Sequence, residues 1–486
     1  MPDLPPASLL TTPAALLTIS VERSRARPVF MQLYDQVRDL ILDARLRSGT
    51  RLPSSRDLAA ELGLSRTTVV AAYDQLQSEG YVEQRRGAGT FVAELVPELL
   101  TGATVARGAG TPGRGPLPAP EPPRPLAHMV PDLGAVERRE WGRLLQRGFQ
   151  SLDPAHLERG DPFGLPVLRE AIADHLKVWR GLDVMPDQII ITSSSAESLR
   201  LVLAALFPGQ ATVVMEDPGY QDMRAVLAEA GQTVEHVAVD AEGLCTDLLP
   251  EGDQVRGIVV TPSRQFPLGV TMTLPRRLAL LQWAGAADRF VIEDDFDSEY
   301  RYRGSPLEAL ANLDREGRVV YLGSFSKVLF RSLRISYLVV PLRTLDRFHA
   351  TLRVRAPATS IIAQPALAEF ITSGGFATHL RRMRRLYGQR YRALAVAMER
   401  MADLLTLQEV DSGMHAIAWS TPALDARMTD VAAARRAAAA GVTVRPLSPF
   451  YVAEPPRQGL ILGFAGFDAA RIAQAVACLD AALRDP

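Results

Sequence analysis

Apolar residues near the start of the chain recur at helical intervals. Phe30, Leu33, Val37, Leu40 and Ile41 repeat every three or four positions and predict an amphipathic helix ending near Gly49. Ser54 or Ser55 caps a short second helix containing Leu58, Ala59 and Leu62. Gly63 stops it, and Ser65 caps a third helix from Arg66 to about Ser78. Val82 to Arg85 and Thr90 to Val92 then read as two short strands around Arg86-Gly87-Ala88-Gly89. Two helices joined by the tight turn Gly63-Leu64-Ser65 and followed by a hairpin form a helix-turn-helix with a wing. Farther on the pattern changes. β-branched runs (Ile189 to Thr192, Thr212 to Met215, Gly257 to Val260, Phe290 to Ile292, Val319 to Leu322) alternate with helical stretches, which predicts an α/β domain on a mainly parallel sheet.

Composition sets the boundaries. Residues 1–24 lack periodicity and are expected to be mobile, and residues 25–94 form the compact head. Residues 95–130 are dense in Pro, Gly and Ala and read as a semi-rigid linker, leaving 131–486 as the body. A chain of 486 residues exceeds one core, and 47% hydrophobic with 22% charged residues excludes a largely disordered protein. No apolar run is long enough to span a bilayer, the N-terminus lacks a secretory pattern, and the expected location is the cytoplasm. Cys245 and Cys478 make neither a disulfide framework nor a metal site, so no metal is expected. A net charge of −1 excludes a globally basic nucleic-acid binder but permits a local basic patch.

In the helix-turn-helix the start of the second helix meets base edges in the major groove. Arg66, Thr67 and Thr68 stand there: an arginine that can fork onto guanine and two hydroxyls suited to bases or phosphate. The wing glycines allow backbone to approach a minor groove. The alternative is a helical interaction module without a nucleic-acid role.

The body carries different chemistry. Only two of the 54 basic residues are lysine, Lys177 and Lys327, and the single asparagine is Asn312. In so arginine-biased a chain a surviving lysine is a candidate for chemistry that needs an amine, such as Schiff-base formation. Lys327 lies in Ser324-Phe325-Ser326-Lys327 after an apolar strand, where α/β proteins bind ligands, and Ser324 and Arg334 suit phosphate oxygens. Thr192-Ser193-Ser194-Ser195 precedes a helix whose free amides make an anion site. A carboxylate of Glu293-Asp294-Asp295, after the strand Phe290 to Ile292, can pair with a protonated pyridine nitrogen, and Tyr220 can stack on a ring. An aldehyde, a phosphate and a basic pyridine nitrogen are the handles of pyridoxal 5′-phosphate.

The head segment L-P-S-S-R-D-L-A-x-x-L-G-L-S-R-T-T-V-x-x-A-Y-x-x-L, from Leu52 to Leu76, resembles the DNA-binding head of GntR-type bacterial repressors. That resemblance implies contacts to double-stranded promoter DNA from Arg56, Arg66, Thr67 and Thr68, with Gly89 at the wing tip. The body resembles fold-type I aminotransferases through G-D-P-x-G-x-x-x-L-R at 160–169, T-P-S-x-Q-F-P-x-G at 261–269, and S-F-S-K followed by Arg334. By that resemblance Lys327 carries the cofactor as a Schiff base, Asp294 pairs with its ring nitrogen and Tyr220 stacks on the ring. Ser194, Ser195, Ser324 and Arg334 hold its phosphate. Together, head and body are identified as a member of the MocR-type transcription regulators. The resemblance implies a homodimer that senses a small amine or amino-acid effector, or the cofactor itself, through Lys327. The alternative is a functional aminotransferase with an accessory DNA-binding head.

Three departures qualify that expectation. An asparagine usually bonds the cofactor's phenolic oxygen, and here Phe266 or its neighbours stand in its place. A tyrosine two residues past the acid is replaced by Phe296, leaving Tyr300, Gln265 or Arg264 as substitute donors. Fewer donors predict a Schiff base that stays protonated and yellow across neutral pH. The C-terminal arginine that clamps a substrate carboxylate is also absent, so Arg445 becomes the nearest effector-binding candidate, with Arg264 and Arg224 as further ones, and turnover is expected to be weak at most. The run Arg381-Arg382-x-Arg384-Arg385 is expected to support packing, an interface or charge near phosphate, with a contact to flanking DNA as the alternative.

Overall fold

The computed structural model describes residues 16, 19–21, 27–43, 45–85, 87–93, 123–304, 308–355, 359–453, 455 and 457–485. The chain forms two compact units, residues 1–119 and 120–486.

In the first unit, α1 (Val29–Leu42), α2 (Ser55–Leu62) and α3 (Arg66–Ser78) precede a hairpin of β1 (Val82–Arg85) and β2 (Gly89–Val92). Leu33, Val37, Leu58, Val69 and Leu76 are fully buried together, the inward stripe that the three- and four-residue spacing dictates. The first helix stops at Leu42, seven residues before the expected end. A turn follows, held where the N–H of Leu46 reaches back to the Leu40 carbonyl, which tucks Leu46 into the core. Ser54, not Ser55, is the cap of α2: its Oγ accepts from the Asp57 N–H at 3.2 Å. Gly63 ends α2 at φ +62°, a left-handed turn that favours glycine. Most of the 1–24 segment lies outside the described residues, but Leu16 and Ile19 are buried in the head core rather than free.

The second unit is built on an eight-stranded sheet. Its strands are β3 (Ile189–Thr192), β4 (Thr212–Asp217), β5 (Thr233–Asp240), β6 (Gly243–Leu244), β7 (Val255–Val260), β8 (Phe290–Asp295), β9 (Val319–Ser324) and β10 (Ser336–Val339). They lie in the order β3-β10-β9-β8-β7-β4-β5-β6. Strands β9, β8, β7, β4 and β5 are mutually parallel, whereas β10 runs antiparallel to both β3 and β9. Side chains alternate between two layers: Val320 and Leu322 join one cluster, Val319 and Tyr321 the opposite ones. Strands buried on both faces are apolar almost throughout, which is why their runs stand out in sequence. A smaller antiparallel sheet follows, with β11 (Leu405–Leu407), β12 (His415–Ser420), β13 (Arg445–Pro446) and β14 (Gly459–Gly463).

Residues 95–122 of the expected linker lie outside the described residues. Its last residues belong to the body: Leu126 and Met129 are buried, and the Gly463 N–H donates to the Leu126 carbonyl at 2.8 Å. Leu126 and Met129 are the apolar anchors that the Pro-rich composition concealed. Among the described residues no helix is long and apolar enough to cross a membrane, and no cluster of His, Cys, Asp and Glu could hold a metal.

Candidate functional site: a lysine crevice in the body and a DNA-reading head

The C-terminal ends of β3, β4, β7, β8 and β9 converge at one edge of the sheet, where open α/β sheets hold their ligands. Asp294 is the next-to-last residue of β8, and Ser324 closes β9 immediately before the short helical turn Phe325–Val328 that carries Lys327. The Lys327 Nζ lies 5.1 Å from the Tyr220 ring centroid and 4.8 Å from that of Phe296. It makes no ion pair within 4 Å among the described residues. Facing it, the fully buried Asp294 carboxylate accepts no hydrogen bond from any described residue. Burial raises the Asp294 pKa, and the Lys327 charge partly opposes that rise. A buried carboxylate so placed fits a cationic N–H donor, the chemistry of a pyridinium nitrogen.

An anion corner lies beside the lysine. Ser194 caps the helix Ser195–Leu206, its Oγ accepting from the Glu197 N–H at 3.2 Å, and Ser195 is the first helical residue. Arg334 adopts the left-handed conformation at φ +54°, uncommon for a residue with a side chain, at the end of the turn Arg331–Leu333. Its Nη2 lies 3.5 Å from Ser193 Oγ, across 141 residues of sequence. Ser324 Oγ accepts from Ser336 Oγ at 2.9 Å. Hydroxyls, first-turn amides and a guanidinium thus converge, the donor set a phosphate needs. Ser193 is not singled out within its run by the sequence because it precedes the helix, and nothing there signals that Arg334 folds back onto it.

The predicted effector arginines part company. Arg445 lies 5.3 Å over the Phe450 ring and its Nη1 is 3.4 Å from His128 Nε2. Phe450 packs on Phe266 and Phe266 on Tyr220, so Arg445 joins the rim of the lysine crevice. Burial, then Arg445 and Arg331, push His128 down to about 4. Arg264 is instead 3% exposed, paired with Asp297 at 3.1 Å and donating to the His415 carbonyl at 2.8 Å. Its two Nη atoms are engaged by these partners, while its Nε is buried without a hydrogen-bond partner. Two of the substitute donors, Tyr300 and Gln265, make hydrogen bonds to the backbone. The Tyr300 hydroxyl donates to the Val328 carbonyl, and the Gln265 amide to the carbonyls of Pro218 and Phe266. Phe266 itself is the hub of an aromatic cluster with Tyr220, Phe296, His415 and Phe450.

Behind the crevice, five carboxyls of the segment Glu293–Glu299 are buried. Asp295 is held by Arg180, whose Nε is 3.0 Å from its Oδ2, and by the Tyr321 and Ser298 hydroxyls at 2.5 and 2.8 Å. Burial, with Asp295 nearby, pushes Glu299 up to about 8, from an ordinary 4.5. The folded body therefore keeps a proton that the unfolded chain has released, so this stabilisation is complete below about pH 4.5 and vanishes as pH rises through 8. The denaturation midpoint of the body should fall between about pH 5 and 8, and Glu299→Gln should flatten that slope when unfolding is followed by fluorescence across the range.

In the head, Arg66 begins α3 and is exposed with Thr67 and Thr68 close behind it on the first turn. The hydroxyls of Thr67 and Thr68 lie 2.8 and 2.6 Å from Ser65 Oγ, and Arg66 Nε donates to Ser55 Oγ at 3.4 Å. Arg56 is exposed on α2, and Gly89 begins β2 at φ +112°. Two further basic residues frame the wing: a Cβ on Gly89 would meet Arg51 Nε at 3.2 Å, and Arg85 lies 4.6 Å over the Phe91 ring.

Residues 31–92 match the gntR family of bacterial regulatory proteins, and residues 142–479 match the aminotransferase class I and II family. The chain is 38% identical to the probable rhizopine catabolism regulatory protein MocR of Rhizobium meliloti, over 92% of each protein. It is 34% identical to the pyridoxine biosynthesis regulator PdxR of Corynebacterium glutamicum, over 93% of this chain and 95% of that one. The body resembles the α-aminoadipate aminotransferase LysN of Thermus thermophilus, solved with N-(5′-phosphopyridoxyl)-L-leucine. That likeness has a TM-score of 0.65 and 27% identity, and covers 74% of this chain and 91% of that one. With a gntR-type reader of DNA joined to an aminotransferase fold of the pyridoxal phosphate-dependent kind, and with such regulators matched along nine-tenths of its length, this chain belongs to the MocR-type transcription regulators.

Proposed function

We propose that the body holds pyridoxal 5′-phosphate at Lys327 and reports an amine-bearing effector, or the cofactor itself, to the head. The observation carrying this reading is the Lys327 amine set between two aromatic rings, opposite a buried carboxylate and beside an anion corner. Bound there, the cofactor supplies an aldehyde carbon that exchanges reversibly between primary amines. Lys327 would hold that carbon, Asp294 would keep a proton on the ring nitrogen, and the Tyr220 ring would cover one face. Ser194, Ser195, Ser324 and Arg334, joined by Ser193, would hold the phosphate. Arg445 would meet an anionic group of the effector at the rim. With Phe266 and Phe296 where donors to the phenolic oxygen are expected, the site lacks an element of efficient turnover.

Residues 25–94 act as the reader and 131–486 as the sensor in this account, within a cytoplasmic homodimer that presents two heads to two half-sites. An effector shifts operator affinity only by binding one state of the dimer better than the other. The name of the relative PdxR favours the cofactor as signal, and that of MocR a catabolite.

The test is operator affinity measured with and without bound cofactor, then with a panel of amines and amino acids, while the visible absorbance is recorded. A change of about tenfold, on the order of 1.4 kcal/mol, is expected when the true signal is added. Arg66→Ala should weaken operator binding by about 1–3 kcal/mol and leave the absorbance unchanged. Turnover with amino acid and 2-oxoglutarate at about 1 per second or faster would return the reading to an aminotransferase.

A further inference from the structure

A second cationic cavity lies in the body, built from residues that the lysine crevice does not use. It is open to solvent on one side, has a volume of about 320 Å³ and is walled by Tyr302, Arg303, Arg384, Arg385, Tyr391 and Arg392, of which Arg303, Arg385 and Arg392 are exposed. Four of these come from the helix Gly375–Met398, on which residues three, four and seven apart share a face. Like charges on one helix face repel, so such a run is costly unless counter-ions sit against it.

The counter-ions here are few. Arg303 is matched by Glu409 at 2.9 Å and Asp411 at 3.7 Å. Arg384, Arg385 and Arg392 have no carboxylate within 4 Å among the described residues. Arg384 is the most committed of the three. Its Nε donates to the Glu299 carbonyl at 2.7 Å, and its guanidinium lies 3.9 Å over the Trp179 ring. Its Nη2 is buried with no hydrogen-bond partner. A buried donor left unsatisfied costs about 1–3 kcal/mol, so this guanidinium is held in place without all its hydrogen bonds. The tyrosines supply wall rather than competing hydrogen bonds. The Tyr302 hydroxyl donates to the Ser412 carbonyl at 3.2 Å and the Tyr391 hydroxyl to the Gln408 carbonyl at 3.0 Å, while the two rings stack at 6.3 Å.

We propose that this cavity is a second anion site, taking a small dianion of the phosphate class on Arg384, Arg385 and Arg392. Three guanidinium groups without carboxylate partners suit a tetrahedral dianion, and the cavity is sized for a small molecule. Its occupant would bear on the sensor, because Arg384 grips the backbone of Glu299, five residues beyond Asp294.

The test compares full-length, cofactor-loaded protein with the double variant Arg385→Gln, Arg392→Gln, both titrated calorimetrically with inorganic phosphate against a sodium chloride control of equal ionic strength. The difference between the two proteins isolates this cavity from the anion corner, whose residues are intact in both. The wild type should bind phosphate at least about tenfold more tightly than the double variant, the loss expected from removing two charge-assisted contacts. Before phosphate is added, visible absorbance and operator affinity should not differ between the two proteins. Arg385→Lys, which keeps the charge and loses the fork, should fall between them and serves if the double variant does not fold. Glycerol 3-phosphate run in parallel separates the sources: tighter binding than inorganic phosphate marks an ester as the ligand, and equal binding marks free phosphate. Equal phosphate affinity in wild type and variants overturns the proposal. So does a variant that loses operator affinity while its phosphate response is unchanged, which would assign the arginines to the DNA backbone.

Discussion

Lys327→Ala should abolish covalent capture of the cofactor altogether. Borohydride treatment of the loaded wild type is expected to leave one pyridoxyl group on the peptide containing Lys327, and the variant should carry none and show no visible band. The expectation is all-or-none because the chain has only two lysines, and the other cannot substitute. Lys177 is an exposed residue of the helix Pro166–Arg180, ion-paired with Asp183 at 2.9 Å. Arginine cannot replace an amine in this chemistry. Operator binding by the head surface should survive, since α1–α3 and the wing have their own core. A pyridoxyl group recovered on Lys177, or on no lysine of the wild type, would falsify the assignment of the site.

Arg180→Met should be the most destabilising single change in the body outside its apolar core, at about 3–5 kcal/mol. The Arg180 side chain is 2% exposed, and besides Asp295 it donates to Ser263 Oγ at 2.6 Å. Its removal leaves the Asp295 carboxylate buried among Glu293, Asp294 and Asp297 without its cation. The denaturant midpoint of the body transition reads the loss. Arg180→Met with Asp295→Leu should recover part of it, because the stranded charge goes too. A loss below about 1 kcal/mol in the single variant would show that other groups neutralise Asp295.

These two residues show what the sequence made legible. Lys327 stood out because its residue type is rare in this chain and because it follows an apolar strand. Arg180 is one arginine among many, and its partner Asp295 lies on a distant strand, with no periodic signal linking them. The head was readable almost residue by residue, since its elements are local: a cap, an apolar stripe, a glycine stop. The first helix was overextended because Leu46 continues the apolar spacing while belonging to the turn that follows. In the body the apolar runs located five strands, but β4, β8 and β9 continue two or three residues further into Glu216-Asp217, Glu293-Asp294-Asp295 and Gly323-Ser324. Hydropathy ends each strand too early at the point where burial turns polar, and that edge is the candidate site. Strand β5 has no continuous apolar run because Glu235 and His236 interrupt its valines, and β10 is short and opens on the polar Ser336.

The antiparallel strand β10 has one more effect. Ser336 stands directly opposite Thr192 on one side and Ser324 on the other, so a single rung of the ladder joins the serine run, the lysine turn and the loop of Arg334. A phosphate gripped at that rung would rivet three distant stretches of chain together. Its departure would break contacts to all three at once, while the hydrogen bonds of the ladder itself remain.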